Sequence, residues 1–267
     1  KINWSRSKAF DRDQFILKIA KQLEKKYPNR FFFYQKKFSE IETVVKSESA
    51  DVVIFDLGLS SIQLNNLKRG FSFKSKEKLD MSMGLSNISA EEVVNNYSEQ
   101  SLKSIIKILG EERDASRIAK NIIKTRLSKK ITKVNQLVEI IEKSKKKNYK
   151  NKINPSTKTF QALRIFVNKE ISELILGLIN AAKVLKKGGV LGVVTFHSLE
   201  DKIVKYFFKT LSENKSISRY SPVTKQSEIL FNLIKKKPIV PSDKEISENP
   251  PSRSAKLRYV IKKTDFY

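Results

Sequence analysis

The stretch Asp51-Val-Val-Ile-Phe-Asp-Leu-Gly-Leu-Ser-Ser61 decides the fold. Val52, Val53, Ile54 and Phe55 make an unbroken apolar run of β-branched and aromatic residues, the pattern of a strand buried on both faces of a parallel sheet. The run stops at Asp56, and Gly58, Ser60 and Ser61 follow. Open α/β sheets bind ligands just beyond the carboxyl ends of their strands. An acid there, beside a glycine that admits close backbone approach, suits a small polar ligand. The competing reading is a strand that ends in a solvated turn.

Upstream, Lys8 to Asp13 reads as the tail of a short strand closing in acids. Phe15, Ile16, Ile19, Ala20 and Leu23 then share one helical face, with Asp13 as the candidate cap. Arg30 to Tyr34 is a second strand, and a short helix runs from about Ser39 to Lys46. The order β-α-β-α-β is half of a doubly wound sheet.

Downstream the pattern changes. Ser89 and Glu92 form a capping box, and helical periodicity continues to Leu109, where Gly110 is a stop. Further helices are expected from Glu111 to Leu127 and from Thr132. Residues 88–154 read as a helical insertion, expected to recognise RNA, and 1–87 with 155–267 as the core. After Pro155, Leu163, Val167, Ile171, Leu174, Leu178, Ala182 and Leu185 predict one long amphipathic helix. Gly188-Gly189 ends it, Val190 to Phe196 is a second buried strand, and Ser198 with Asp201 opens another helix. Residues 229–233 and 257–261 offer a last strand pair.

Charge narrows the partner. Lys and Arg number 54 against 28 acids, a net charge of +26 over 267 residues, which predicts a polyanion, RNA or DNA before a membrane. An AT-rich genome also inflates Lys, but tends to raise Glu with it. No cysteine and a single histidine, His197, exclude disulfides, thiolate sites and multi-histidine metal centres. No metal is expected. No apolar run reaches the ~20 residues of a membrane span, and no signal-peptide pattern opens the chain.

Gln63 to Met83 lacks periodicity, and a loop of that length is functional or disordered; its paired Phe71 and Phe73 argue against disorder. Here Asp56-Leu-Gly-Leu-Ser-Ser61, Gln63-Leu64, Arg69-Gly-Phe-Ser-Phe73 and Leu79-Asp-Met81 resemble the signature of the ribosomal RNA small subunit methyltransferase H family. Gly110-Glu-Glu112, Arg117-Ile-Ala119, Thr159-Phe-Gln-Ala-Leu-Arg164, Phe196-His-Ser-Leu-Glu-Asp201, Asn249-Pro250 and Arg253-Ser254 follow in the family's order. The resemblance implies a class I methyltransferase, Rossmann-like α/β sheet with an inserted all-helical domain. It implies S-adenosyl-L-methionine as cofactor and N4 of a cytidine in 16S rRNA, free or in the small ribosomal subunit, as substrate. Cytoplasmic location follows from that substrate; oligomeric state stays open.

The resemblance also places residues. Asp11 matches the acid that binds the cofactor ribose, Phe38 an adenine-side contact, and Asp56 and Gln63 further cofactor positions. The competing readings are a helix cap for Asp11 and ordinary core for Phe38. The family's first strand and Gly-Gly loop have no counterpart here, so the chain is expected to be a fragment of a longer protein, with two sheet edges unpaired. Each unpaired buried backbone group costs about 1–3 kcal/mol.

Transfer to an amine needs positioning and a proton acceptor. Asp56 is the first candidate and His197 the second, the alternative for His197 being a simple chain turn with Ser198 as cap. Asn249-Pro-Pro-Ser252 imitates an amino-methyltransferase motif but lies far downstream and lacks its aromatic, which also disfavours a DNA amino-methyltransferase. For RNA the candidates are Lys145, Lys146 and Lys147 in the run 143–152, with Arg69, Arg164 and Arg253. Phe71 and Phe73 either stack an extruded base or pack the loop. The rival function is a non-catalytic RNA-binding or ribosome assembly factor on a degenerate methyltransferase fold.

Overall fold

A computed structural model describes residues 6–84, 86–145, 154–213 and 229–264. The chain divides into a sheet unit, residues 1–11, 23–58 and 171–267, and a helical unit, residues 12–22 and 59–170.

In the sheet unit β1 (Ser7–Phe10) and β2 (Phe31–Tyr34) pair in parallel, joined in the chain through α1 (Leu17–Lys26). A second sheet holds β3 (Ala50–Asp56), β4 (Leu185–Thr195), β5 (Phe231–Asn232) and β6 (Lys256–Lys262) in the order β3-β4-β6-β5. β3 and β4 are parallel, and β6 runs antiparallel to both its neighbours. The doubly wound sheet read from the sequence is therefore in two pieces, with β1 and β3 unpaired to each other.

β3 departs from expectation. Val53 and Phe55 are buried, whereas Val52 and Ile54 are 55% and 67% exposed. Successive strand residues point to opposite faces. Only the Val53–Phe55 face enters the core, which gathers Leu174, Leu178 and Ala181 of α8 (Glu170–Val184) with Val204 and Phe208 of α9 (Ser198–Ser212). Burying such side chains stabilises by about 1.5–3 kcal/mol each.

The helical unit contains α2 (Ser61–Asn65), α3 (Ala90–Asn96), α4 (Glu99–Leu109), α5 (Ala115–Ser128), α6 (Val134–Ser144) and α7 (Thr157–Val167). Its core joins Val93, Ile106, Ile118, Leu137 and Ile141 to Phe71, Leu79 and Met81 of the long loop and to Phe160 and Leu163 of α7. This explains why the unit reaches well beyond 88–154: the loop and α7 bury their apolar residues among these helices. Backbone bonds from Leu79 to Thr132 and from Val134 to Glu77 stitch the loop down.

Two helices read as continuous are each divided. Ser98 caps α4 and ends the periodic stretch from Ser89 after one short helix. The long helix after Pro155 breaks between α7 and α8 at Asn168 and Lys169, where Lys169 takes φ of 52°. Asn168 is buried and is the C-cap of α7, its backbone N–H donating to the Arg164 carbonyl. Its Oδ1 accepts from Met83 N and Ser86 Oγ, and its Nδ2 donates to the carbonyls of Met81 and Arg164. The chain also carries α10 (Asp243–Glu248) before a 3-10 turn, Pro250–Ser254, that leads into β6.

Candidate active site

The carboxyl ends of the parallel strands in the sheet unit carry four of the residues singled out from the sequence. β1 ends at Phe10, and half-buried Asp11 follows, its backbone N–H donating to the Tyr34 carbonyl at 3.3 Å. β2 ends at Tyr34, and Phe38 opens a 3-10 helix, Phe38–Thr43. That turn is held from α8. Ser39 Oγ donates to Glu173 Oε2 at 2.5 Å, Lys37 Nζ lies 3.3 Å from Glu173 Oε1, and Asn180 Nδ2 donates to the Ser39 carbonyl at 2.8 Å. The Phe38 ring stands 4.9 Å from that of Phe55 and rests on Gly177, where a Cβ would come within 2.6 Å of the ring.

β3 ends at Asp56. The side chain is exposed, yet partial desolvation at the sheet edge holds its carboxyl above the usual carboxylate range. Gly58 follows with φ of 97°, a left-handed conformation that favours glycine. The turn lies against Phe196, whose ring would stand 3.1 Å from a Cβ on Gly58.

β4 ends at Thr195, and His197 is the N-cap of α9. Its Nδ1 accepts from Glu200 N at 3.4 Å, so the cap is His197 itself and not Ser198. A neutral ring accepting at Nδ1 keeps its proton on Nε2. Nε2 lies 3.0 Å from Glu200 Oε1 but out of line for a hydrogen bond. Further along α9, Asp201 meets Arg258 Nε at 2.7 Å. Burial raises its carboxyl, but the Arg258 and Lys256 cations and their hydrogen bonds leave it below the usual range.

Gln63 belongs to the helical unit and is buried there. Its Nε2 donates to Asp13 Oδ2 at 2.6 Å, and its Oε1 accepts from Ser60 N in a reciprocal cap of α2. Asp13, read as a helix cap, does accept from Phe15 N, but it is 1% exposed and is also the ion-pair partner of Arg69. Burial raises the Asp13 carboxyl; hydrogen bonds from Gln63, Arg69 and Phe15, with the Arg69 charge, outweigh it and leave the group below its usual range.

Several RNA candidates are occupied otherwise. Arg69 is buried, pairs with Asp13, donates to the Ser82 carbonyl and stacks on Phe15 and Phe71. Phe71 is core, and Phe73 packs edge-on against Phe160, so both pack the loop. Arg164 makes a two-pronged pair with Glu170 at 2.9 and 2.8 Å. Lys145 is held by Glu112 and the Pro155 carbonyl. Arg253 is exposed. Lys146 and Lys147 lie outside the described residues.

Glu173 and Gly177 escaped the sequence reading. A glycine inside the helical run Leu174-Ile-Leu-Gly-Leu-Ile179 was the available signal, since such a position usually marks close packing.

The carboxylate of Asp11, the half-buried ring of Phe38 and the glycine turn after Asp56 fit the nucleoside half of S-adenosylmethionine. The acid suits vicinal hydroxyls, the ring suits a purine face, and the glycine lets backbone approach. The model of the MraW methylase family matches residues 1–263. Curated relatives bearing the name ribosomal RNA small subunit methyltransferase H include that of Bartonella bacilliformis, 43% identical over 95% of this chain and 76% of the relative. That of Sulfurihydrogenibium sp. is 42% identical over 93% and 81%, and that of Rickettsia africae 43% over 94% and 82%. No described helix is long and apolar enough to cross a membrane.

Proposed function

The chain belongs to the MraW methylase family, and from that premise we propose that it methylates N4 of a cytidine in small-subunit ribosomal RNA, using S-adenosylmethionine. One observation carries the reading: within one unit, Asp11 and Phe38 follow the carboxyl ends of the parallel pair β1–β2, and Asp56 ends β3, itself parallel to β4. The names of the relatives support small-subunit ribosomal RNA as the substrate class, and the net charge of +26 suits it.

When bound, the cofactor supplies an electrophilic methyl group. Asp11 accepts hydrogen bonds from the ribose hydroxyls. Phe38 covers one side of the adenine, kept in place by the Ser39–Glu173 bond and by Gly177. Asp56 accepts an N–H of the cytosine amine. That contact orients the nitrogen, whose lone pair is otherwise delocalised into the ring, and gives its proton an acceptor. Desolvation aids this, because a carboxyl raised above its usual range takes up a proton more readily. His197 serves differently. Protonating Nδ1 would break the cap of α9, so we assign the proton to Asp56 and leave His197 holding the first turn with its Nε2 proton as a donor.

The test is to incubate the protein with small-subunit rRNA and isotopically labelled S-adenosylmethionine, then digest the RNA and identify the labelled nucleoside by mass. N4-methylcytidine is expected. Label at another atom would sink the cytosine-amine reading, and failure to retain the cofactor would sink the enzyme.

A further inference from the structure

The helical unit carries a groove of about 550 Å³ between α5 and α6. Lys124 and Lys129 line it from the α5 side and Lys143 from α6, and all three are exposed. None forms an ion pair among the described residues, in contrast to Lys130 with Glu91 and Lys145 with Glu112 nearby in the chain. Glu139 is the one acid in the lining.

Amides supplement the charge. The Gln136 Oε1 is taken by the backbone N–H groups of Thr132 and Lys133, which fixes the side chain and leaves its Nε2 as the outward donor. Asn121 gives its Nδ2 to Ser144 Oγ, leaving its Oδ1 to accept. The wall behind them is apolar, with Ile131 and Ile140 buried. Cations with no ion-pair partner among the described residues, fixed amide groups of both polarities and an apolar wall describe a site for a nucleotide chain. The cations meet phosphates, and the amides meet sugar or base edges.

We propose that the α5–α6 groove holds the phosphodiester backbone of the substrate RNA, so that RNA is gripped by this groove and not by Arg69, Arg164 or Lys145, whose charges are neutralised within the fold. This rests on the RNA substrate named above, but not on the methyl-transfer chemistry. The groove supplies position and affinity; the reacting base is chosen elsewhere. An acidic protein surface is the other polyanion that lysines would accept, but the neighbouring amides and apolar wall favour RNA.

The test uses the full chain, a fluorescent small-subunit rRNA fragment, and binding isotherms at several KCl concentrations. Compared are Lys124→Gln/Lys129→Gln/Lys143→Gln and a charge-matched control on α1, Lys18→Gln/Lys21→Gln/Lys25→Gln. For RNA each lost phosphate contact flattens the slope of log K against log salt by about 0.7–0.9. The groove variant is expected to lose about 2 of that slope and to bind at least tenfold more weakly near physiological salt, with the control within about twofold of the parent. Equal losses in both variants, or a parent chain that binds a polyglutamate of equal charge as tightly as RNA, would overturn the proposal. S-adenosylmethionine affinity, read by calorimetry on the same samples, separates the two ideas. If the parent retains no cofactor but the groove variant alone loses RNA, the methyltransferase reading fails and the groove stands.

Discussion

Replacing Arg69 by Met tests the buried ion pair that anchors the long loop. Met keeps an unbranched apolar stem against Phe15 and Phe71 but removes the guanidinium, and with it the charge, its donors and its stacking on the two rings. Asp13, 1% exposed, would keep the Gln63 amide and the Phe15 N–H but lose its cation. Breaking a buried pair by deleting one partner costs about 3–5 kcal/mol, because it strands an uncompensated charge. For a chain of this size that lowers the thermal midpoint by roughly 6–20 °C at neutral pH. The pH dependence gives a second readout with a definite sign. In the parent, the folded Asp13 carboxyl is depressed below 3.8, so the stability it contributes is present above that value and is lost only as pH falls through the lower folded value. In the variant, desolvation dominates and the folded carboxyl rises above the unfolded one. The folded variant then takes up a proton first, and its deficit shrinks as pH falls from 7 towards 5. Asp13→Asn/Arg69→Met should cost less than Arg69→Met alone, since no charge is left stranded. Urea unfolding followed by far-UV circular dichroism at pH 7 and pH 5 measures all three. A penalty below about 1 kcal/mol, equal at both pH values, would refute the buried-charge argument.

Asp56→Asn should lower the rate of methyl transfer about a hundredfold while changing cofactor affinity less than tenfold. In the parent the acid limb of kcat/KM should fall through a midpoint above 3.8, because partial desolvation raises this carboxyl; that limb should vanish in the Asn variant. Gly177→Ala places a Cβ within 2.6 Å of the Phe38 ring. It should cost about 1–3 kcal/mol by overpacking and weaken S-adenosylmethionine binding in calorimetry more than it weakens RNA binding. Asn168→Ala removes four hydrogen bonds to the loop and helix ends. With buried groups at Met81 and Met83 left unpaired at about 1–3 kcal/mol each, proteolysis should begin within 79–86 at concentrations the parent resists.

Much of the fold was readable before any coordinates. The apolar run before Asp56, the capping box at Ser89 and Glu92, and the antiparallel pair near the end all report local rules: side-chain period, cap chemistry, β-branching. What failed was whatever depends on a distant partner. Val52 and Ile54 look as buried as Val53 and Phe55, because a run of four apolar residues does not say which faces are covered. Arg69 and Arg164 look like phosphate ligands in one dimension, because an arginine's charge shows in the sequence and its neutralising acid does not. Asp13 stands 56 positions from Arg69. Phe71 and Phe73 posed the same problem, and the helical core resolved it in favour of packing.

By itself, then, the amino-acid order determined the family, the parallel strands and the acids at their ends, since strand breaks and residue chemistry are set by neighbours a few positions away. Tertiary structure alone decided which charges remain available. A buried cation must find a carboxylate or leave it stranded, and that search spans the chain. It paired Arg69, Arg164 and Lys145 with acids, left Lys124, Lys129 and Lys143 facing water, and placed Phe38 on a glycine from a helix more than a hundred residues away.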